Sequence, residues 1–148
     1  MDHQPMDRQT MDRLIDTHIG AEDAGDLDAA IGVYTDDVEH DVVGAPGGPL
    51  YGPAAARERY EGLLENVRTD EMTELRRYHA DDACIVEHRC TATITGQFAG
   101  IPGRDRAVTF RLLHVFEFRN GAISRENVWM DTASVLAQLA EPAVAMAR

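Results

Sequence analysis

Three histidines occupy positions where a half-buried strand would place apolar side chains: His40 in "DDVEHDVVG", His88 in "ACIVEHRCTATITGQF" and His114 in "RAVTFRLLHVFEFR". An aspartate, Asp131, closes "AISRENVWM" where the alternating pattern stops. Imidazoles and a carboxylate gathered in an apolar setting are the equipment of proton transfer. A carboxyl group desolvated against Trp129 and Phe110 is expected to have a raised pKa, suited to general acid or base work near neutral pH. A neighbouring imidazole could polarise an oxygen or orient that carboxylate. Plainer roles carry comparable weight: Asp131 or Thr132 could cap the helix that follows, and a buried histidine is more often a hydrogen-bonded core residue than a catalyst. His18, in an apolar helix stripe, receives only that reading, as do His3 and His79. Three histidines on separate strands, with no HxH or HxxxH spacing, give no zinc signature, and no metal ligand set is assigned.

The elements that must position these residues follow from periodicity. Met11, Leu14, Ile15, His18 and Ile19 keep the three-four spacing of an amphipathic helix, which Gly25 ends. Asp26 caps a shorter helix with Leu27, Ala30, Ile31 and Tyr34 as its buried stripe. Val38, His40 and Val42 then alternate with acidic residues as in a strand. The loop "GAPGGPLYGP" leads to Pro53, suited to a helix's first position, and that helix buries Ala56, Tyr60, Leu63, Leu64 and Val67. Four strands follow, in "EMTELRRYHA", "ACIVEHRCTATITGQF", "RAVTFRLLHVFEFR" and "AISRENVWM", then a helix from Thr132 to Ala140. Helices followed by a long meander indicate an α+β fold with helices against one face of a curved sheet.

Asn120-Gly121 marks a two-residue type I′ hairpin, which sets register. Uninterrupted pairing would put His114 opposite Asn127 and Phe110 opposite Asp131. One face would then carry Phe110, Leu112, His114, Phe116, Phe118, Ile123, Arg125, Asn127, Trp129 and Asp131. On the preceding strand Val86, His88, Cys90, Ala92 and Ile94 share the apolar side. If the sheet curls, these residues surround a pocket for a small hydrophobic substrate.

Composition narrows the classes. The 148 residues suit one domain, with residues 1–9 read as a tail. A net charge of -12 repels nucleic acid and anionic membranes. Cys84 and Cys90 lie too far apart along one strand for a disulfide. No signal peptide, membrane span, phosphate-binding glycine loop, GxSxG elbow or CxxC pair is visible, so a cytoplasmic protein without a cofactor is expected.

Four stretches, "GDLDAAIGVYTDDVEHDVVG", "TATITGQFAGIPGR", "FEFRNGAIS" and "DTASVLAQL", in this order, resemble the SnoaL-like polyketide cyclases of the NTF2-like superfamily. The resemblance spans nearly the whole chain. It implies an α+β cone whose curved sheet, with the N-terminal helices on its concave face, encloses an apolar pocket. It also implies a homodimer paired through the sheet's outer face. By the same resemblance, Asp131 holds the place of the acid/base of an intramolecular aldol condensation that needs no cofactor. His40 matches the first-strand histidine, and His114 lies on a strand that supplies pocket residues. Two departures, Ala92-Thr93-Ile94 before "TG" and Asn127 where a tryptophan is usual, fall at positions expected to face the pocket. The expected site therefore comprises Asp131, His114, His40 and His88 as acid/base and polarising groups. Trp129, Asn127, Phe110, Tyr34, Tyr51, Leu112 and Ile94 complete it as substrate contacts. Isomerisation, dehydration and epoxide opening are alternatives on the same scaffold, as is a non-catalytic binding module.

Overall fold

A computed structural model of the chain describes residues 4–142; His3 lies outside them. The first helix, α1 (Arg8–Asp23), starts within the expected tail because the Asp7 carboxylate accepts the Thr10 amide at 2.9 Å. It buries Met11, Ile15 and His18. Helix α2 (Leu27–Ile31), capped by Asp26, stops at Gly32, so Tyr34 opens strand β1 (Tyr34–Val42) instead of ending the helical stripe. A short strand β2 (Leu50–Tyr51) leads to α3 (Pro53–Asn66). That helix buries Ala56 and Tyr60; Leu63 and Leu64 stay partly exposed and Val67 begins the next strand.

Strands β3 (Val67–His79), β4 (Ala83–Ile94), β7 (Arg106–Arg119) and β8 (Ala122–Met130) form the meander. Between β4 and β7 the chain makes a two-residue ribbon, β5 (Gln97–Phe98) against β6 (Ile101–Pro102), so β4 ends four residues earlier than its alternation suggests. Helix α4 (Thr132–Ala140) closes the described fold. The sheet order is β2-β1-β8-β7-β4-β3, with β1 parallel to β8 and the remaining neighbours antiparallel. This mixed α+β sheet packs α1 over Val86, Phe116, Phe118 and Ile123. Val135 and Leu139 of α4 cover Cys90, Ala92, Ile94, Val108 and Phe110. Among the described residues no helix is long and apolar enough to cross a membrane.

The β7–β8 hairpin decides which side chains look inward. Asn120 and Gly121 both have positive φ, 53° and 79°, as a type I′ turn requires, and Arg119 pairs Ala122 and Phe118 pairs Ile123. The next pair is Glu117 with Arg125, leaving Ser124 as an extra residue, a β-bulge. A slip of one residue exchanges the faces of everything beyond it. Glu126 thus falls beside Phe116, Val128 beside His114 and Met130 beside Leu112, on the inner face, while Asn127 and Trp129 turn outward.

Candidate functional site

Glu126, delivered inward by the bulge, is 1% exposed and lies at the centre of a polar cluster inside an otherwise apolar core. One carboxylate oxygen, Oε2, accepts from Tyr60 Oη at 3.0 Å and from Tyr34 Oη in a short hydrogen bond, with His18 Nε2 at 3.0 Å. The parallel pairing of β1 and β8 sets His40 next to Glu126, with Nε2 3.9 Å from the same oxygen. The other oxygen, Oε1, lies 3.5 Å from His114 Nε2 and has no closed hydrogen bond within the described residues. Helix α1 supplies His18, β1 supplies Tyr34 and His40, α3 supplies Tyr60, and β7 supplies His114.

These groups fix one another's charge. His18 Nδ1 lies 2.8 Å from the Ala30 carbonyl, which can only accept, so Nδ1 carries a proton and Nε2 faces the carboxylate. Burial alone would lower the His18 pKa; the charge of Glu126 and its hydrogen bond reverse this and carry it up to about 9. Burial likewise opposes ionisation of Glu126, but His18, with its charge and hydrogen bond, and then His40 and His114, hold the carboxyl well below the usual range. The pair is therefore ionised at neutral pH. His114 is pushed down to about 4 by burial, against the pull of Glu126. Burial also lowers His40 and His88. All three shifts favour the neutral ring; in His114 it is Nε2 that lies near the carboxylate, and Nδ1 is the other ring nitrogen. That nitrogen is buried and meets no partner among the described residues. The His114 ring stacks on Phe116 at 5.3 Å and meets His88 edge-on at 5.8 Å.

An open cavity of about 310 Å³ reaches this cluster from one side. Its wall is chiefly apolar, with Leu63, Leu64, Met72, Cys90, Ile94, Phe98, Phe110, Leu112, Met130 and Val135 contributing. His114 and Glu22 bring titratable groups to it. Glu22, in the last turn of α1, has Oε2 3.6 Å from His18 Nε2. Burial, with the charge of Glu126, raises its pKa to about 7. Glu22 is thus a cavity-lining carboxyl group with a raised pKa.

The expected site residues separate into three groups. Phe110, Leu112, Ile94 and His114 line the cavity. Tyr34 and His40 belong to the buried cluster behind it, and His88 packs beside His114. Asp131, Asn127, Trp129 and Tyr51 do not line it. Asp131 is exposed and accepts the Ser134 amide at 3.1 Å as the N-cap of α4. Asn127 is buried on the outer side, donating to Asp41 at 2.9 Å and accepting from the Trp129 indole. Trp129 is half exposed, and Tyr51 on β2 is mostly exposed. Ser124 is the physical reason for the first three: the bulge inverts the expected faces of β8. Strand alternation also missed Glu126, because the bulge interrupts it. His18 carried a signal, being a histidine in an apolar helix stripe with Glu22 one turn later.

The ligand atoms of His18, Glu22 and Glu126 lie within 4.8 Å of one another, as do those of Asp12, His79 and Cys84. In the first set His18 and Glu126 already neutralise each other and engage two phenols. In the second, Asp12 Oδ1 receives both Arg77 at 2.7 Å and His79 at 2.8 Å, and burial keeps Cys84 a thiol, with its pKa raised to about 11. A cation would have to displace these protons and pairings in either set.

The fold and the site together define an NTF2-like cone, a curved sheet and helices around an apolar pocket with a polar back wall. A family model described as SnoaL-like polyketide cyclase matches residues 9–139, and the chain belongs to that family. No curated protein matches the sequence. Among solved structures, it is similar to a candidate SnoaL-like polyketide cyclase of Jannaschia sp. CCS1, with TM-score 0.79 and 17% identity over 96% of this chain and 99% of that one. An LEH-like epoxide hydrolase of M. tuberculosis gives TM-score 0.69 and 18% identity over 88% and 90%. A candidate isomerase of Rhodopseudomonas palustris gives 0.72 and 18% over 90% and 97%. At such identities the likeness is one of fold.

Proposed function

We propose that the protein is a cofactor-independent acid/base enzyme acting on a small hydrophobic carbonyl compound, with His114 as the base and Glu126 as its charged partner. One observation carries this reading: an imidazole lining an apolar cavity has a buried carboxylate oxygen 3.5 Å from its Nε2. A carboxylate behind an imidazole fixes its tautomer and stabilises the imidazolium formed when the ring accepts a proton. Transfer of a C–H proton to the unprotonated ring nitrogen of His114 would convert a ketone bound in the cavity into its enolate. In an intramolecular aldol closure the enolate carbon bonds to a second carbonyl carbon of the same molecule, and the alkoxide so formed takes the proton back from His114. Aldol cyclisation is the favoured reaction, in keeping with the family. A cavity of about 310 Å³ suits a fused-ring ketone better than a long chain.

The partner state belongs to the same reading. The outer sheet face exposes Tyr78, Ile85 and Trp129, an apolar surface suited to pairing with a second copy. Sedimentation at increasing concentration would test it, a constant 16 kDa species counting against the dimer.

The catalytic reading is tested by α-proton exchange of 2-tetralone, a bicyclic ketone, in D₂O at pH 6, followed by NMR. Wild-type protein is expected to accelerate exchange and His114→Ala to abolish the acceleration with 2-tetralone still bound. Binding without acceleration by wild-type protein would instead favour a non-catalytic small-molecule module.

A further inference from the structure

Glu22 has no part in the chemistry described so far, yet it reaches both the cavity and the buried cluster. It lines the same cavity as His114, and its Oε2 lies 3.6 Å from His18, which holds Glu126 at 3.0 Å. The cavity's other charged neighbours are poorly placed for proton transfer. Asp23 is exposed, and Arg68 is turned to Asp70 at 2.9 Å with most of its side chain in water. Glu22 keeps 23% of its side chain accessible, enough to exchange its proton with solvent between turnovers. His114 and Glu22 thus line one cavity, and the charge of Glu126 acts on both.

We propose that Glu22 is the general acid of this site, delivering its carboxyl proton to the carbonyl oxygen of the bound ketone while His114 takes the proton from the adjacent carbon. The step balances: the C–H bond breaks and its proton goes to the unprotonated ring nitrogen of His114, and the C–H electron pair becomes the C=C bond. The carbonyl π pair becomes a lone pair on oxygen, which forms the new O–H bond with the proton of Glu22. The products are an enol, a Glu22 carboxylate and a His114 imidazolium, the last facing the Glu126 carboxylate. Ring closure follows when the enol O–H returns its proton to Glu22 as the new C–C bond forms, with the second oxygen protonated by His114.

The surroundings keep Glu22 protonated near neutral pH. It sits among His18 and Asp23 of its own helix, Glu126 of β8, Tyr34 of β1, Tyr60 of α3 and Cys90 of β4. Burial and the two carboxylates favour the neutral acid, and only His18 opposes them. Its pKa of about 7 stands above that of about 4 for His114, so acid and base are both in working form between those limits. A raised carboxylic acid that donates a hydrogen bond to a substrate oxygen has a precedent in ketosteroid isomerase.

This role rests on the reading of His114 as base, and the experiment separates the two. Exchange of 2-tetralone in D₂O is measured from pD 4 to 9 for wild type, Glu22→Gln and His114→Ala, with folding checked by circular dichroism. The wild-type rate should form a plateau that falls above about pD 7, and Glu22→Gln should lower the plateau by roughly 10²-fold, the scale of general acid catalysis, and remove that alkaline fall. Wild-type and Glu22→Gln proteins with equal rates and the same alkaline fall would overturn the role of Glu22 while leaving His114 in place. No acceleration by wild type, or an unaltered rate in His114→Ala, would overturn both. Should Glu22→Gln fail to fold, the alkaline limb of the wild-type profile decides, and a rate that keeps rising through pD 8 refutes the acid.

Discussion

Replacing Glu126 with Gln removes the charge on which the buried cluster depends and keeps nearly the same shape. With Glu126 ionised, the pKa of His18 stands at about 9, against an ordinary 6.5. That difference corresponds to about 3 kcal/mol of preferential interaction with the protonated ring, similar to the roughly 3–5 kcal/mol lost when one partner of a buried ion pair is removed. The sign follows from where the proton is held. His18 binds its proton more tightly in the folded protein, so this stabilisation is complete below pH 6.5 and is lost as the pH rises through 9. Urea unfolding at pH 7 and 9.5 should therefore show wild-type stability falling by about 2–3 kcal/mol. Glu126→Gln should be about 3 kcal/mol weaker at pH 7, with little further loss at pH 9.5. For a domain of this size that initial deficit corresponds to a melting temperature lower by roughly 6–12 °C. An equal alkaline loss in the variant would refute the ion pair as the organising interaction.

Asp131→Ala should cost about 1 kcal/mol by uncapping α4, read by chemical denaturation, and leave 2-tetralone binding unchanged; a loss of binding with normal stability would return Asp131 to the site. Deleting Ser124 should restore unbroken alternation on β8 and swing Glu126 out of the core. The expected result is a protein without a cooperative melt, whereas native-like melting and His18 titration would contradict the bulge as the device that delivers Glu126. Gly103 abuts Ile94, where a Cβ would come within 2.2 Å of the Ile94 carbonyl oxygen. Gly103→Ala should therefore lower stability by about 1–3 kcal/mol, and an unchanged urea midpoint would contradict that packing.

The helices and most strands are legible because their apolar periods are long and their punctuation is strong. Asp26, Pro53 and Asn120-Gly121 each act where the residue type requires. The cavity-lining roles of Phe110, Leu112, His114 and Ile94 follow from the same alternation, since β4 and β7 pair without interruption. The departure from simple alternation lies at Ser124, an ordinary strand residue that announces no bulge. One extra residue there turns Asn127 and Trp129 outward and Glu126 inward, so the buried carboxylate of β8 lies within the strand and not at its end. For Glu22 and His18 the local spacing is visible but the partner is not: their relation to β8 comes from the docking of α1, a long-range contact. A histidine in an apolar stripe fits both a core hydrogen bond and a functional cluster, and only the partner across the core separates them.

The pairing of His114 with Glu126 is tested most directly by long-range ¹H–¹⁵N NMR of the histidine rings at pH 6 in protein labelled with ¹⁵N. A neutral His114 ring, protonated at Nε2 and shifted when 2-tetralone binds, is expected beside a doubly protonated His18. A charged His114, or one protonated at Nδ1 and insensitive to the ketone, would contradict the pairing.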